Sequence, residues 1–279
     1  MNISEIFGYG IDDHTDRAWS DRLAKRCHFK DGICNKSSNK DPIGICSVSD
    51  GVQAASLCPV RFLEDGRIFR DAARLAFGET SHFSIFPEIR ILKVPNAKKP
   101  GVFKKIGKVD FLLGKIEEEN VTDFCAVEVQ ASYFSGSETR TILKHYIANR
   151  NFGVLDTFRR PDFRSSAQKR LIPQLQLKVP VFRRWGKKFF VVVDSKFFGS
   201  LPNFQTTTPA NSELTWLVYP LALVQQSYMM QEVQAVYTDW ADVETSLREG
   251  RAPDPNEVID ELQLKFASKS KVMAKVFSC

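Results

Sequence analysis

Two stretches carry acids where strand sequence rarely does: IGKVDFLLGKI at 106–116 and DFCAVEVQASYF at 123–134. Side chains alternate along a strand. Ala126, Glu128 and Gln130 therefore share one face of the second stretch, and Cys125, Val127, Val129 and Ala131 share the other. In the first, Asp110 points away from its neighbours Val109 and Phe111. A hairpin through the polar turn EEENVTD can set Asp110 beside Glu128 and Gln130. Two carboxylates in one site repel unless a divalent cation holds them. Mg²⁺ takes hard oxygen ligands and keeps several waters, and it can activate water and stabilise charge at a phosphodiester. The plainer reading is an amphipathic sheet with a wet face. Against it, Asp is a poor strand former and Asp110 sits centrally in an apolar run.

A second constellation lies upstream. Cys27, Cys34, Cys46 and Cys58 fall within 32 residues, spaced C-x6-C-x11-C-x11-C. The N-terminus MNISEIFGYGIDDH carries acids and no long apolar region, so no secretory signal is expected and a disulfide framework is disfavoured. Four clustered thiols then point to one tetrahedral metal, zinc or iron. Residues 30–51 are rich in Gly, Asn, Ser, Asp and Lys and are not expected to build a core alone, so a metal would supply the missing stabilisation. The competing reading is a set of buried free thiols, since Cys is commonly buried. Cys125, in a strand, and Cys279, at the terminus, read as bystanders.

The elements that must position these groups follow from pattern. Helices are expected at 13–26 and at 65–78, the latter with Ile68, Ala72, Leu75 and Ala76 as its stripe and Gly78 as its stop. Strands at 86–95, 106–116 and 123–134, with short connections, predict an antiparallel meander. A helix is expected at 137–150, then a basic helix-and-loop region to about 186. KKFFVVVDSKFF at 187–198 suits a strand buried on both faces. ELTWLVYPLAL reads as a further strand, and 254–268 as a helix opened by Asp254 and Pro255. Helix, three strands, helix, two strands and helix make an α/β fold: a mixed central sheet flanked by helices. The expected division is 1–64, the N-terminal helix and Cys module, and 65–279, the core. The composition of the 279 residues is ordinary for a soluble globular protein. The longest apolar run, WLVYPLALV, is too short to span a membrane, which makes the cytoplasm the default location.

Net charge is only +6, but thirteen Lys/Arg against three Asp/Glu fall between 136 and 190. Segregated basic charge suits a polyanion, most often nucleic acid. Arg140, Lys144, Arg159, Arg160, Arg183 and Arg184 are the leading candidates for DNA contact. His145, Arg150, Arg164, Lys169, Arg170, Lys187 and Lys188 belong to the same stretch. Most such contacts go to phosphates rather than bases.

An Asp, a hairpin and a Glu-x-Lys on the next strand mark the PD-(D/E)xK nuclease fold, and VDF…AVEVQ resembles it. Two positions depart: Val109 stands where proline is usual, and Gln130 where lysine is usual. A glutamine can orient groups by hydrogen bonds but brings no charge. Glu-x-Gln together with an upstream four-cysteine module resembles the NotI-type restriction endonucleases, over about residues 27–134. The resemblance implies Mg²⁺ on Asp110 and Glu128, a water oriented by Gln130, and iron on Cys27, Cys34, Cys46 and Cys58. A further acid often completes such sites, with Glu88 the candidate and Glu79 the alternative. It also implies a homodimeric type II enzyme of a prokaryotic restriction-modification system. Such an enzyme cuts double-stranded DNA at a palindromic, G·C-rich site that a cognate methyltransferase protects. Two other readings stand beside it: a repair or mobile-element nuclease of the same fold, and a non-catalytic, metal-stabilised DNA-binding protein.

Overall fold

Alternating apolar residues bury both faces of a six-stranded sheet in the computed structural model of the chain. The described residues are 2–30, 32–36, 41–79, 81–95, 99, 101–133, 139–151, 161–248 and 254–268. The chain opens with β1 (Asn2–Ile6) and β2 (Tyr9–Gly10), followed by α1 (Asp16–Leu23), whose N-terminus Thr15 caps by accepting from the Ala18 N–H at 3.3 Å. A hairpin of β3 (Arg26–Cys27) and β4 (Gly32–Ile33) precedes β5 (Ile45–Ser49) and β6 (Ala54–Ser56). Strands β2, β1, β5 and β6 form a four-stranded sheet in that order. This corrects the expectation for residues 30–51: β5 is buried at every position, and Ile45 and Val48 pack with Ile3, Ile6 and Trp19. A buried ion pair, Arg61 Nε to Glu5 Oε2 at 3.0 Å, ties this sheet to the 3-10 segment Pro59–Gly66.

The helix expected at 65–78 is α2 (Arg67–Phe77), stopped at Gly78, whose φ of 100° only glycine adopts readily. The meander is present as β7 (His82–Pro95), β8 (Phe103–Glu117) and β9 (Asn120–Val129). Strand β9 ends at Val129, short of the expected 134. Helix α3 is Thr139–Asn149, and helical residues α4 (Phe163–Ser166) lead through a π-turn to α5 (Ile172–Trp185). Strand β10 (Phe189–Asp194) is buried at every position, as its FFVVV run predicts. It ends at Asp194 rather than 198, because the Asp194 carboxylate caps α6 (Ser195–Phe198) by accepting from the Phe197 N–H at 2.8 Å. The ELTWLVYPLAL stretch is two strands split at Pro220. β11 (Leu214–Tyr219) joins the central sheet, and β12 (Leu221–Val224) pairs with β13 (Ser227–Met230). β14 (Gln234–Thr238) and α7 (Trp240–Arg248) had no sequence expectation.

Central strand order is β14-β11-β10-β9-β8-β7, with β9, β10 and β11 parallel and both flanks antiparallel. On one face Phe189, Val191 and Val193 pack against Leu175, Val179 and Phe182 of α5 and Trp240, Val243 and Leu247 of α7. On the other, Phe190 and Val192 meet Ile68, Phe69 and Ala72 of α2. The result is a mixed α/β sandwich, and the N-terminal sheet belongs to the same compact unit, residues 1–247. A second unit holds α8 (Pro255–Ala267), opened by Asp254 and Pro255 as expected. Among the described residues no helix is long and apolar enough to cross a membrane.

Candidate active site

Asp110 and Glu128 meet where two ladders give out. The β7–β8 pairing skips Glu88 and Asp110, and the last β8–β9 pair is Phe111 with Val127. Side-chain oxygens take over the backbone donors there. The Asp110 N–H donates to Glu128 Oε1 at 3.3 Å, and the Val129 N–H donates to Asp110 Oδ2 at 3.0 Å. Each carboxylate is thus fixed by the other residue's strand. Among the described residues these contacts engage Oε1 and Oδ2, and Glu128 Oε2 and Asp110 Oδ1 have no donor.

Lys178 completes the cluster. It reaches in from α5, and its amine donates to Glu128 Oε1 at 2.6 Å and to Gln174 Oε1 at 3.0 Å. The Lys178 side chain is 3% exposed and that of Glu128 5%. Burial pushes the Glu128 carboxyl up to about 7, the Asp110 charge adds to the rise, and Lys178 opposes it. Sequence reasoning missed Lys178, although a signal was present. Leu171, Leu175 and Phe182 form the buried stripe of this helical stretch, and Lys178 occupies the stripe position between the last two. A lysine at a core position needs a buried partner, and the partner is Glu128.

Gln130 follows β9, 9% exposed, with its N–H bonded to Val192 O at 2.9 Å and its Nε2 donating to Ala131 O at 2.6 Å. It lines a cleft of about 720 Å³ with Lys36, Pro59, Ser132, Tyr133, Lys169, Arg170 and Gln174. A second cleft of about 400 Å³ contains Asp110, Glu88, Phe111 and Leu63. Pro59, Val129 and Gln174 line both. Asp110 opens to the smaller cleft and Gln130 to the larger, while Glu128 is buried and lines neither. Arg170 lies 4.0 Å over the Tyr133 ring, at the mouth of the larger one.

Glu88 shares the smaller cleft with Asp110, but its carboxylate is 69% exposed and paired with Lys108 Nζ at 2.6 Å. Glu79 sits beyond α2 against Arg74 at 3.8 Å. Arg183 is bonded to Glu213 at 2.5 Å, and Arg183 and Arg184 occupy the end of α5 away from the clefts. Arg140 pairs with Asp41 at 3.7 Å, and Lys144 contributes to the same acid's field. Arg159 and Arg160 lie outside the described residues. The structure therefore brings Asp110 and Glu128 together, turns the Gln130 amide to Ala131 O on the wall of the larger cleft, and leaves Arg183 and Arg184 at the far end of α5.

Cys27, Cys34, Cys46 and Cys58 are all buried, with no disulfide among them. They lie within one another's electrostatic reach: the fields of Cys58 and Cys27 help burial push the Cys46 thiol well up, and Cys58 and Cys34 act likewise on Cys27. The Lys36 amine lies among them, donating to Ile45 O at 2.7 Å and Leu57 O at 2.9 Å. Burial lowers its pKa, and the fields of Cys58, Cys46 and Cys34 oppose the fall. Among the described residues no three His, Cys, Asp or Glu side chains are set at metal-holding geometry.

None of the curated proteins compared with the chain matches it. The sequence model of restriction endonuclease NotI matches residues 15–231, which takes in the four cysteines, the two carboxylates, Gln130 and Lys178. With well over half its length matched, the chain belongs to the NotI restriction endonuclease family.

Proposed function

We propose that the protein is a Mg²⁺-dependent type II restriction endonuclease of the PD-(D/E)xK fold that cuts double-stranded DNA as a homodimer. Family membership makes it a DNA-binding nuclease. The observation that carries the finer reading is the mutual backbone fixing of Asp110 and Glu128, with Asp110 open to a cleft. Mg²⁺ is satisfied by one or two carboxylates together with water and phosphate oxygens, so a two-carboxylate site fits it. Asp110 Oδ1 and Glu128 Oε2 would hold the ion, which when bound activates water and offsets charge at the scissile phosphate.

The remaining work belongs to the chain. Lys178 fixes Glu128 through Oε1 and supplies the positive charge that Gln130 cannot. Gln130, on the wall of the larger cleft, orients the attacking water by hydrogen bonding. Lys169 and Arg170 at that cleft attract the phosphate backbone. The four buried cysteines fit a thiolate metal in donor chemistry and would hold iron, or zinc, that stiffens the N-terminal sheet. Two-fold symmetry of a homodimer would match a palindromic, G·C-rich site. Digestion of a sequenced genome-scale DNA in Mg²⁺, with fragment ends read, tests the reading. Ends that share one palindrome support a type II enzyme. Scattered ends or no cutting overturn it.

A further inference from the structure

We propose that the two-stranded ribbon of residues 89–95 and 103–109 is a DNA-reading arm that enters the major groove beside the scissile phosphate. The inference rests on the nuclease reading above and adds the surface that grips the duplex.

The outer part of the arm extends past the central sheet, while its base is seated on the core through buried Val109 and partly buried Ile91. Strand β8 pairs with β9 only from Phe111 to Glu117, whereas its pairing with β7 runs on to Pro95 opposite Phe103. Residues 89–95 and 103–109 therefore form a two-stranded ribbon rooted at Asp110. It leaves the sheet at the end where β9 delivers Glu128. Seven residues at about 3.3 Å each give an arm roughly 23 Å long. A two-stranded ribbon fits a major groove about 12 Å wide.

Its charge is one-sided. Residues 89–109 contain seven Lys/Arg and no Asp or Glu. The register sets Lys93 directly opposite Lys105 and Arg90 directly opposite Lys108. Like charges across a ladder destabilise it, and an isolated two-stranded hairpin is already marginal in water. Apolar burial is confined to the base, at Val109 and Ile91, and at the outer end Phe103 is 61% exposed, so little offsets that cost around Lys93 and Lys105. A polyanion does, by neutralising the facing lysines and releasing counterions from its phosphates. At the root, Glu88 is held by Lys108 and sits at φ 58°, where the left-handed backbone breaks the ladder across from Asp110. The basic stretch at 136–190 carries more Lys/Arg than the ribbon, but Arg140, Lys178, Arg183 and Lys187 there are paired with acids.

The test compares a K93A/K104A/K105A protein with a control that removes three exposed arginines elsewhere, R17A/R70A/R74A. Binding to a duplex carrying the wild-type cut site is measured across a salt series without Mg²⁺. The arm variant is expected to lose at least about tenfold in affinity. The slope of log K against log salt should fall by about 2–3, near 0.9 per lost phosphate contact. Its melting temperature should hold or rise, since cross-strand repulsion is relieved. Affinity and slope equal to the control's overturn the proposal, as does a change in oligomeric state with an unchanged slope. A wild-type protein that neither binds nor cuts duplex DNA instead defeats the nuclease reading itself.

Discussion

Replacing Lys178 by methionine removes one charge from the centre of the proposed site and leaves the stem nearly unchanged in volume. The amine lies 2.6 Å from Glu128 Oε1 and 3.0 Å from Gln174 Oε1, on a side chain 3% exposed. A charge-assisted hydrogen bond of this kind contributes about 1.5–3 kcal/mol, and each 1.4 kcal/mol is a factor of about ten in rate. Single-turnover cleavage by K178M should therefore fall by about 10- to 100-fold. The field of Lys178 holds the Glu128 carboxyl down against burial and Asp110. Its loss moves the acid limb of the pH–rate profile upward, so part of the activity returns as pH is raised. K178R, which keeps the charge, should retain more activity than K178M. Adding Q130K to K178M should recover activity by placing the cation on β9. Rates for K178M within about threefold of wild type, or a loss tracking unfolding in both K178M and K178R, would refute the assigned role.

Three other expectations are open to simple assays. Q130A should slow cleavage while leaving equilibrium DNA binding nearly intact, because the side chain lines the cleft and makes only a local bond to Ala131; equal losses in both would assign Gln130 to binding. Metal analysis should find about one iron or zinc per chain, lost together with stability in a C46S protein; a well-folded wild-type preparation free of metal contradicts the thiolate site. In metal-free buffer Glu128, raised to about 7 from 4.5, binds its proton more tightly when folded than when unfolded. Its contribution to stability is full below about pH 4.5 and is lost as pH rises through about 7, by on the order of 3 kcal/mol. E128Q should flatten that decline, and an equally steep decline in E128Q would show that other groups cause it.

The meander was legible because strand alternation and short polar turns are local signals. The same alternation put Glu128 and Gln130 on one face, with Asp110 within reach. The doubly buried β10 was also legible, since FFVVV has no polar face to expose. What sequence could not supply came from chain-distant partners. The buried status of β5 depends on β1 and β6, and its Gly- and Ser-rich surroundings gave no hint of a core. The end of β10 was decided by Asp194 turning from strand residue to helix cap. Lys178 looked like one more basic residue among thirteen, its place in the apolar stripe hidden by its charge until its burial against Glu128 distinguished it. Pro180 inside α5 obscured the helix that delivers it.

The central claim is that Asp110 and Glu128 form the cation site at which DNA is cut. The most direct measurement is single-turnover cleavage of supercoiled plasmid by wild-type and D110A proteins, with and without Mg²⁺, alongside DNA binding by both. The account predicts discrete, Mg²⁺-dependent fragments from wild type and no detectable cutting by a D110A protein that still binds DNA. Cutting by D110A at the wild-type rate, or wild-type cutting that does not need a divalent cation, would contradict it.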